Sequence, residues 1–163
     1  MLLSIAVGLA LLGGSAAAFS PPAAAAPAGF LLVNHNSLLC LYASPGPGER
    51  PVTQRRCDLS SNNYRWEHLP WGGDPTVVRL RHRATNLCLV TRGTGESKAV
   101  LSTCGAWSDQ IWTTLLDQGA EVYRYGNMNS GLCLVARGTV SGTRAIQSTC
   151  GAQWDDQFWR QLR

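Results

Sequence analysis

The segment Asn129-Ser-Gly-Leu-Cys133-Leu-Val-Ala136 opens the stretch that decides the fold. It continues through a loop rich in glycine, threonine and serine to Ala145-Ile-Gln-Ser-Thr-Cys150, and it closes with Asp156-Gln-Phe-Trp159. Two cysteines and a final Gln-x-Trp therefore mark its beginning, middle and end. An earlier part of the chain has the same order of residue types, in Asn86-Leu-Cys88-Leu-Val90, Cys104 and Asp109-Gln-Ile-Trp112.

These landmarks occur three times at a nearly constant period. The first copy is looser and keeps the two cysteines and the tryptophan, as Cys40, Cys57 and Trp66. Between copies, the first cysteines are 48 and 45 residues apart, the second cysteines 47 and 46, and the tryptophans 46 and 47. One period shared by three landmarks predicts three structural repeats, at about 30–70, 76–116 and 121–163.

Residues 1–28 precede the first copy and differ from it in composition. An apolar run, Leu2–Leu12, is followed by Gly13-Gly-Ser15 and by tracts of alanine and proline, although no Lys or Arg precedes the run. This order is typical of a secretory signal peptide followed by an Ala/Pro-rich leader. A membrane anchor is the alternative, but the run is short and broken by glycine. We therefore predict a secreted protein without a stable membrane span after signal removal.

All six cysteines lie in the part that follows the leader. An even number of cysteines in an exported chain indicates disulfides. The repeat selects one pairing, with one bridge inside each copy: Cys40–Cys57, Cys88–Cys104 and Cys133–Cys150. Each bridge closes a loop of similar length and stabilises the fold by roughly 3 kcal/mol on the chain-entropy model. Zinc is the competing interpretation, but the chain has no Cys-x-x-Cys half-site.

Short apolar or alternating runs follow the leader, and no long segment has a helical period. The runs are Phe30–Val33, Val77–Arg81, Ala99–Leu101, Glu121–Tyr125 and Ala145–Gln147. The turn clusters between them are Ser44–Gly48, Trp71–Pro75, Arg92–Gly95 and Ser141–Thr143. This pattern predicts an all-β domain. Four short strands fit each copy, and three such units sharing one core give a β-trefoil of twelve strands. Its central packing layer is predicted to contain Trp66, Trp112 and Trp159.

The remaining composition excludes several classes of function. The net charge is +4, and the basic residues are scattered except at Arg79–Arg83, whose alternation indicates a half-exposed strand. Nucleic acid is therefore not predicted as a partner. The three histidines lack metal-binding spacing, and the chain has no Gly-x-Ser-x-Gly elbow and no obvious pair of catalytic carboxylates. We predict neither an enzyme nor a cofactor or metal site.

With these landmarks placed, residues 30–163 resemble the ricin B-type lectin family in its short secreted bacterial form. The matching motifs are Cys40-Leu41, Cys88-Leu89, Cys133-Leu134, Gln110-Ile-Trp112 and Gln157-Phe-Trp159. The first copy has Tyr64 where the family has the glutamine of Gln-x-Trp. The resemblance implies a β-trefoil and a carbohydrate-binding function.

The resemblance also implies where a sugar site would lie in each copy. In sugar-binding members, an aspartate follows Cys-Leu, an aromatic platform lies two residues before the second cysteine, and an asparagine precedes the Gln-x-Trp. In this chain the aspartate position holds Tyr42, Val90 and Val135. The platform position holds Arg55, Ser102 and Ser148, and the asparagine position holds Asn63, Asp109 and Asp156. The aspartate is therefore missing from all three copies.

Two further tryptophans offer a different sugar surface. Trp107 and Trp154 lie five residues before the closing tryptophans, and each precedes an acidic residue and a glutamine; the six candidate contacts are Trp107, Asp109, Gln110, Trp154, Asp156 and Gln157. An indole can stack on a sugar ring while the polar pair orients hydroxyls. In the alternative interpretation the indoles cover the disulfides, the aspartates tie a turn and the glutamines hold backbone groups. Arg92 and Arg137, also equivalent, could meet an anionic sugar or be solvated.

We therefore predict a secreted, non-catalytic, lectin-like module that binds extracellular glycans or glycoconjugates through a non-standard site. The alternative is a protein-interaction trefoil that has lost sugar binding and recognises another secreted protein, as a receptor-binding toxin subunit or an inhibitor does. Loss of the family aspartate favours this alternative, and the duplicated Trp107 and Trp154 motif favours glycan binding.

Overall fold

The computed structural model describes residues 29–117, 119 and 121–163, and the signal peptide predicted at 1–28 lies outside the described residues. The described residues form twelve strands: β1 Phe30–Asn34, β2 Cys40–Ala43, β3 Arg50–Arg55, β4 Arg65–Trp71, β5 Asp74–His82, β6 Cys88–Thr91, β7 Ser97–Ser102, β8 Trp112–Asp117, β9 Val122–Asn127, β10 Cys133–Val135, β11 Ile146–Ser148 and β12 Trp159–Leu162. Each copy contributes four strands, as predicted, and one single-turn 3-10 helix before its last strand.

Six of the strands close a barrel. In order around the ring they are β1, β4, β5, β8, β9 and β12, and each pairs antiparallel with the next. The pairing of β12 with β1, which places Leu162 opposite Leu31, completes the ring. Successive side chains of a strand point to opposite faces of the sheet. On β5, Val78, Leu80 and His82 therefore point into the barrel, and the arginines between them are partly exposed.

The other six strands form three hairpins, β2–β3, β6–β7 and β10–β11. β7 pairs with both β3 and β11, and a bridge between Thr53 and Arg144 joins the remaining two hairpins. The hairpins thus form a triangular arrangement with the same threefold repetition as the barrel. A six-stranded barrel with three hairpins is a β-trefoil, and the predicted fold class is confirmed.

The closing tryptophan of each copy lies in the shared core. Trp66, Trp112 and Trp159 are fully buried. Each indole N–H donates a hydrogen bond to the carbonyl oxygen of the leucine in its own Cys-Leu pair, at 3.0, 3.2 and 3.1 Å. These bonds satisfy the one polar group of each indole, which would otherwise be costly to bury.

Three disulfides join Cys40 to Cys57, Cys88 to Cys104 and Cys133 to Cys150, which is the pairing that the repeat predicts. Each ties the start of the second strand of a copy to the loop that follows its third strand. The loop therefore has a fixed starting point beside the core, and this loop carries Trp107 in copy two and Trp154 in copy three.

Several predicted boundaries differ from the structure. The turn predicted at Trp71–Pro75 is only Gly72-Gly73, because both glycines have positive φ (64° and 81°) and two such residues close a tight hairpin. The strands β4 and β5 therefore extend past the predicted repeat limits at 70 and 76. Glu121, predicted to begin a strand, has a φ of 51° and lies in the turn before β9. No helix in the described ranges is long and apolar enough to cross a membrane.

Candidate functional site

Trp107 and Trp154 are exposed at equivalent positions in copies two and three, with 61% and 44% of their surface accessible. Each is the residue before a single-turn 3-10 helix, Ser108–Gln110 or Asp155–Gln157. In copy one the same position holds Ser61, whose hydroxyl caps the turn by accepting a hydrogen bond from the Asn63 N–H at 3.3 Å. The tryptophans make no such capping bond. Copies two and three therefore have an exposed apolar ring where copy one has a capping hydroxyl.

Each exposed indole lies over a glycine that directly follows the second cysteine. A Cβ atom built on Gly105 would overlap the six-membered ring of Trp107, and one built on Gly151 would come within 2.6 Å of Cε3 of Trp154. One face of each indole is thus packed against backbone next to the disulfide. This agrees in part with the interpretation that the indoles cover the bridges, although both rings keep a large exposed surface.

Gln110 and Gln157, candidate ligand contacts in one interpretation and holders of backbone groups in the other, line the two cavities and make the bonds of the second interpretation. Both are about 1% exposed. Gln110 accepts a hydrogen bond from the Gly105 N–H and donates one to the Thr103 carbonyl, each at 2.8 Å. Gln157 makes the equivalent bonds to Gly151 and Thr149, at 2.9 and 2.6 Å. Because both ends of each amide are used, these glutamines position the indole-bearing loops rather than bind a ligand.

A cavity opens beside each exposed indole. In copy two its volume is about 580 Å³, and its lining includes Trp107, Asp109, Arg92 and Ser102. The equivalent cavity in copy three measures about 410 Å³ and is lined by Trp154, Asp156, Arg137 and Ser148, among others. The structure thus brings the predicted tryptophan and aspartate together in each copy. It also adds an arginine and a serine hydroxyl to each site.

The arginine of each cavity is paired with a glutamate from the preceding copy. Arg92 forms an ion pair with Glu49, and its Nη1 lies 3.4 Å from Oδ2 of Asp109. Arg137 pairs with Glu96, with 2.7 Å between Nη2 and Oε2. Arg137 and Glu96 also share the hydroxyl of Ser148. Each site is therefore assembled from two copies of the repeat.

The two aspartates are partly buried, and the Asp109 carboxylate is only partly satisfied. Oδ1 of Asp109 is buried without a hydrogen-bond partner among the described residues. Burial raises the pKa of Asp156, and the nearby Arg137 opposes this shift only in part. For the alternative that these aspartates tie a turn, the structure shows one local bond, from the backbone N–H of Asp156 to its own carboxylate. Both aspartates line their cavities, and the exposed part of a carboxylate can accept hydrogen bonds from a ligand.

Copy one has lost this site. Tyr42 stacks near Tyr64, with ring centroids 4.9 Å apart, and the guanidinium of Arg55 lies 4.5 Å from the Tyr42 ring centroid. Ser61 replaces the exposed indole and Asn63 replaces the acidic residue. Aromatic side chains thus pack together where copies two and three have an open cavity.

A hydrogen bond from the following copy fixes the backbone of each site. Nδ2 of Asn127 donates to the Asp109 carbonyl at 3.0 Å, and Nδ2 of Asn34 donates to the Asp156 carbonyl at 2.9 Å. In copy one the carbonyl of Asn63 lies 3.0 Å from Nε2 of His82. The three bonds form a ring in which each copy holds the copy before it. We call Asn34, His82 and Asn127 the clasp residues.

Sequence reasoning missed the glutamates and glycines of these sites. Glu49 and Glu96 both lie eight residues before the second cysteine of their copies, so alignment of the repeats could have revealed their equivalence. The same alignment places Gly105 and Gly151 together and pairs them with Trp107 and Trp154, whereas copy one has Asp58 and Ser61. The predicted platform residues Ser102 and Ser148 do line the cavities, but as hydroxyls rather than as aromatic rings.

A family model described as the ricin-type beta-trefoil lectin domain matches residues 76–163, which are copies two and three. This match spans more than half of the chain, and the chain therefore belongs to the ricin-type β-trefoil lectin family. The matched copies are the ones that carry the exposed indoles and the cavities. No curated protein matches the chain in sequence.

Solved structures share the fold at low sequence identity. The designed threefold-symmetric protein ThreeFoil is 20% identical with a TM-score of 0.75, and the match covers 82% of this chain and 97% of that one. The ricin B-like lectin of Macrolepiota procera, solved in complex with lactose, is 18% identical with a TM-score of 0.68, covering 82% and 94%. The Haemophilus ducreyi cytolethal distending toxin matches at 18% identity and a TM-score of 0.69, covering 88% and 89%.

Proposed function

We propose that this domain is a secreted, non-catalytic glycan-binding module with two equivalent sites, one at Trp107 and Asp109 and one at Trp154 and Asp156. The observation that carries the proposal is the duplicated cavity with an exposed indole beside a carboxylate. A sugar presents an apolar C–H face and vicinal hydroxyls, so a ring that stacks and a carboxylate that accepts hydrogen bonds suit it together. Membership of a lectin family supports the proposal.

The stability cost of the exposed tryptophans also supports a binding role. A capping residue such as Ser61 stabilises a helical turn, typically by about 1 kcal/mol relative to a residue that cannot cap. Copies two and three lack this bond. Instead, more than half of Trp107 and nearly half of Trp154 is exposed. A residue that stabilises the free protein poorly at two equivalent surface positions is better explained by a ligand that covers it.

A glycan array followed by calorimetry tests the proposal. Trp107→Ala and Trp154→Ala should each reduce the number of binding sites from two to one, and the double variant should lose binding. Trp71→Ala is the matched control, because Trp71 is a partly exposed tryptophan on β4 that lines neither cavity. Unchanged binding by the double variant would exclude these sites.

A protein-interaction trefoil is the second candidate. The observation that favours it is the loss of the family aspartate, since Val90 and Val135 have no polar side-chain atom and Tyr42 has no carboxylate to accept hydrogen bonds from vicinal hydroxyls. The likeness to the Haemophilus ducreyi cytolethal distending toxin supports it at the level of the fold. A stoichiometric partner recovered from culture supernatant, together with no binding on the glycan array, would favour this candidate.

The proposal that the domain is non-catalytic rests on the chemistry of the two cavities. Among the described residues there is no group of three or more His, Cys, Asp or Glu side chains that could hold a metal ion. In each cavity the acidic residues are engaged with, or lie near, an arginine. Release of reducing sugar from any glycan that the domain binds would contradict this part of the proposal.

A further inference from the structure

Each site has more negative than positive charge when the glutamate paired with its arginine is counted, although Glu49 itself does not line the copy-two cavity. In copy two, Arg92 faces both Glu49 and Asp109, and in copy three Arg137 pairs with Glu96 while Asp156 lies nearby. Each site thus contains two carboxylates and one guanidinium. Because an arginine engaged by a neighbouring glutamate is already neutralised, it offers little attraction to an anionic ligand. The hypothesis that these arginines meet an anionic sugar is therefore not supported.

The second carboxylate of each site is only weakly paired. Arg92 reaches Oδ2 of Asp109 at 3.4 Å, and burial disfavours the charged form of Asp156. A cation brought by a ligand would stabilise the charged form of each carboxylate through its exposed part, since the Asp109 side chain is 18% exposed and a charge-assisted hydrogen bond is the strongest that a carboxylate forms.

The exposed indole also favours a positively charged ligand. An indole face attracts an ammonium group because of its quadrupole, and tryptophan is the best of the aromatic residues in this respect. Trp107 and Asp109 line one cavity, and Trp154 and Asp156 line the other. Ring and carboxylate thus favour a protonated amine independently of each other, and they do so twice in the chain.

We propose that both sites select sugars that carry a free, protonated amino group, with the ammonium at Asp109 or Asp156 and the sugar ring on Trp107 or Trp154. This inference rests on the proposed glycan-binding function and names its ligand class. Sugars with carboxylate or sulfate groups are disfavoured by the excess negative charge. Neutral sugars of the same ring shape keep the stacking contact but lose the ion pair.

The test compares three oligosaccharides of equal length by calorimetry: a β-1,4-linked glucosamine hexamer, its N-acetylated counterpart and a galacturonate hexamer. The measurements are made at about pH 5.5, because a 2-amino sugar is a weaker base than lysine and is mostly protonated only in mildly acidic solution. The glucosamine hexamer should bind about tenfold or more tighter than the acetylated one, and this difference should shrink in high salt because screening weakens the ion pair. The galacturonate hexamer should bind most weakly.

The variants Asp109→Asn and Asp156→Asn keep the shape of the side chain and remove its charge. Together they should abolish the preference for the free amine, because they weaken binding of the glucosamine hexamer more than binding of the acetylated hexamer. Glu121→Gln is the matched control, because it removes one exposed carboxylate outside both cavities and should leave the preference unchanged. The protein has a net charge of +4, so non-specific attraction of a polycation is already disfavoured.

The outcomes separate the inference from the proposed function. Equal binding of the free and acetylated hexamers, with loss of both in the Trp107→Ala and Trp154→Ala double variant, would overturn the amine preference and leave glycan binding intact. Tighter binding of galacturonate would overturn the preference in the opposite direction. A preference that survives the double tryptophan variant would place the binding elsewhere and overturn both.

Discussion

Gly105 and Gly151 each lie beneath an exposed indole, and their lack of a side chain allows this contact. Neither has a positive φ, so the backbone at these positions suits any residue. The requirement for glycine therefore comes from the ring above it. Copy one supports this reading, because it has Asp58 in place of the glycine and Ser61 in place of the tryptophan.

We expect Gly105→Ala and Gly151→Ala to displace the indoles and to weaken glycan binding by about tenfold or more at the altered site, since stacking needs a fixed ring. The global fold should be kept because the backbone conformation is unstrained. Tryptophan fluorescence and calorimetry measure the two effects. Gly95→Ala is the control, because a Cβ there meets no atom within 4 Å. Binding that is equally strong in all three variants would show that the indoles need no fixed position.

A half-buried histidine, His68, and a buried one, His82, should make stability depend on pH. Burial lowers the pKa of His68 to about 4, and its Nε2 lies 3.0 Å from the hydroxyl of Tyr125. Burial also lowers the pKa of His82. In the unfolded chain a histidine titrates near 6.5. The unfolded chain therefore takes up protons first, so stability is complete above about pH 6.5 and is lost as the pH falls toward the folded-state values.

Denaturant unfolding at a series of pH values between about 7 and 4 should show this loss, with a limiting slope of about 1.4 kcal/mol per pH unit for each histidine. His68→Gln and His82→Asn together should flatten the curve in this window. Carboxylates titrate in both proteins, so their contribution cancels in the comparison. Parallel curves for the variant and the parent would mean that neither histidine is held neutral by the fold.

At the scale of elements, the clasp residues join each copy to its neighbour. Asn127 is about 1% exposed, and besides its bond to Asp109 its Oδ1 accepts hydrogen bonds from the N–H groups of Asn129 and Ser130. It therefore fixes both the turn after β9 and the backbone of the copy-two site. His82 shows that another ring or amide donor can fill this role.

We expect Asn127→Ala to reduce the free energy of unfolding by about 1–3 kcal/mol, because it leaves buried backbone groups without partners. Asn127→His should cost less, since it copies the arrangement at His82. Asn36→Ala is the control, because the amide of Asn36 makes one long, exposed bond of 3.5 Å. Thermal and denaturant unfolding provide the measurement. A loss no larger than that of the control would show that the clasp contributes little.

At the scale of the whole molecule, the fold could be predicted from the repeat period. Each of the three copies must supply equivalent side chains to the shared core, so these residues recur at a constant spacing. The disulfides and the shared core require the same residue types in each copy. The spacing of Cys88 and Cys133, and of Trp112 and Trp159, is therefore recognisable in the sequence. The clasp was not predictable in the same way. Copy two has His82 at the position where the other copies have asparagine. Because the residue type differs in one copy, the three positions cannot be recognised as equivalent from the sequence.

The binding sites were harder to predict than the fold. Trp107, Asp109 and their counterparts could be found from equivalent positions, because exposed residues that recur have a common cause. Glu49 and Glu96 could not be joined to their arginines from spacing alone, since each pair connects loops of different copies. For the glutamines the sequence left two roles open, ligand contact and support of backbone groups, and the burial that distinguishes these roles is not visible in a sequence.

Removal of one core indole should destabilise the entire trefoil. We expect Trp112→Ala or Trp159→Ala to cost about 3–5 kcal/mol, because each leaves a cavity in the shared core and an unpaired leucine carbonyl. Trp107→Ala, which removes the same side chain from the surface, should change stability far less. Denaturant unfolding compares them. A core variant as stable as the surface variant would contradict the shared packing layer.

The pairing of β1 with β12 means that the three copies could follow one another along the polypeptide from a different starting point. Since the first and last strands are neighbours, the three copies form a circle that the polypeptide happens to interrupt between the third copy and the first. A circular permutant that links Arg163 to Gly29 and opens at Gly73 would start with the second copy and finish with the first. Every strand pairing of the barrel would be retained, because the order of copies along the polypeptide is independent of their arrangement in space.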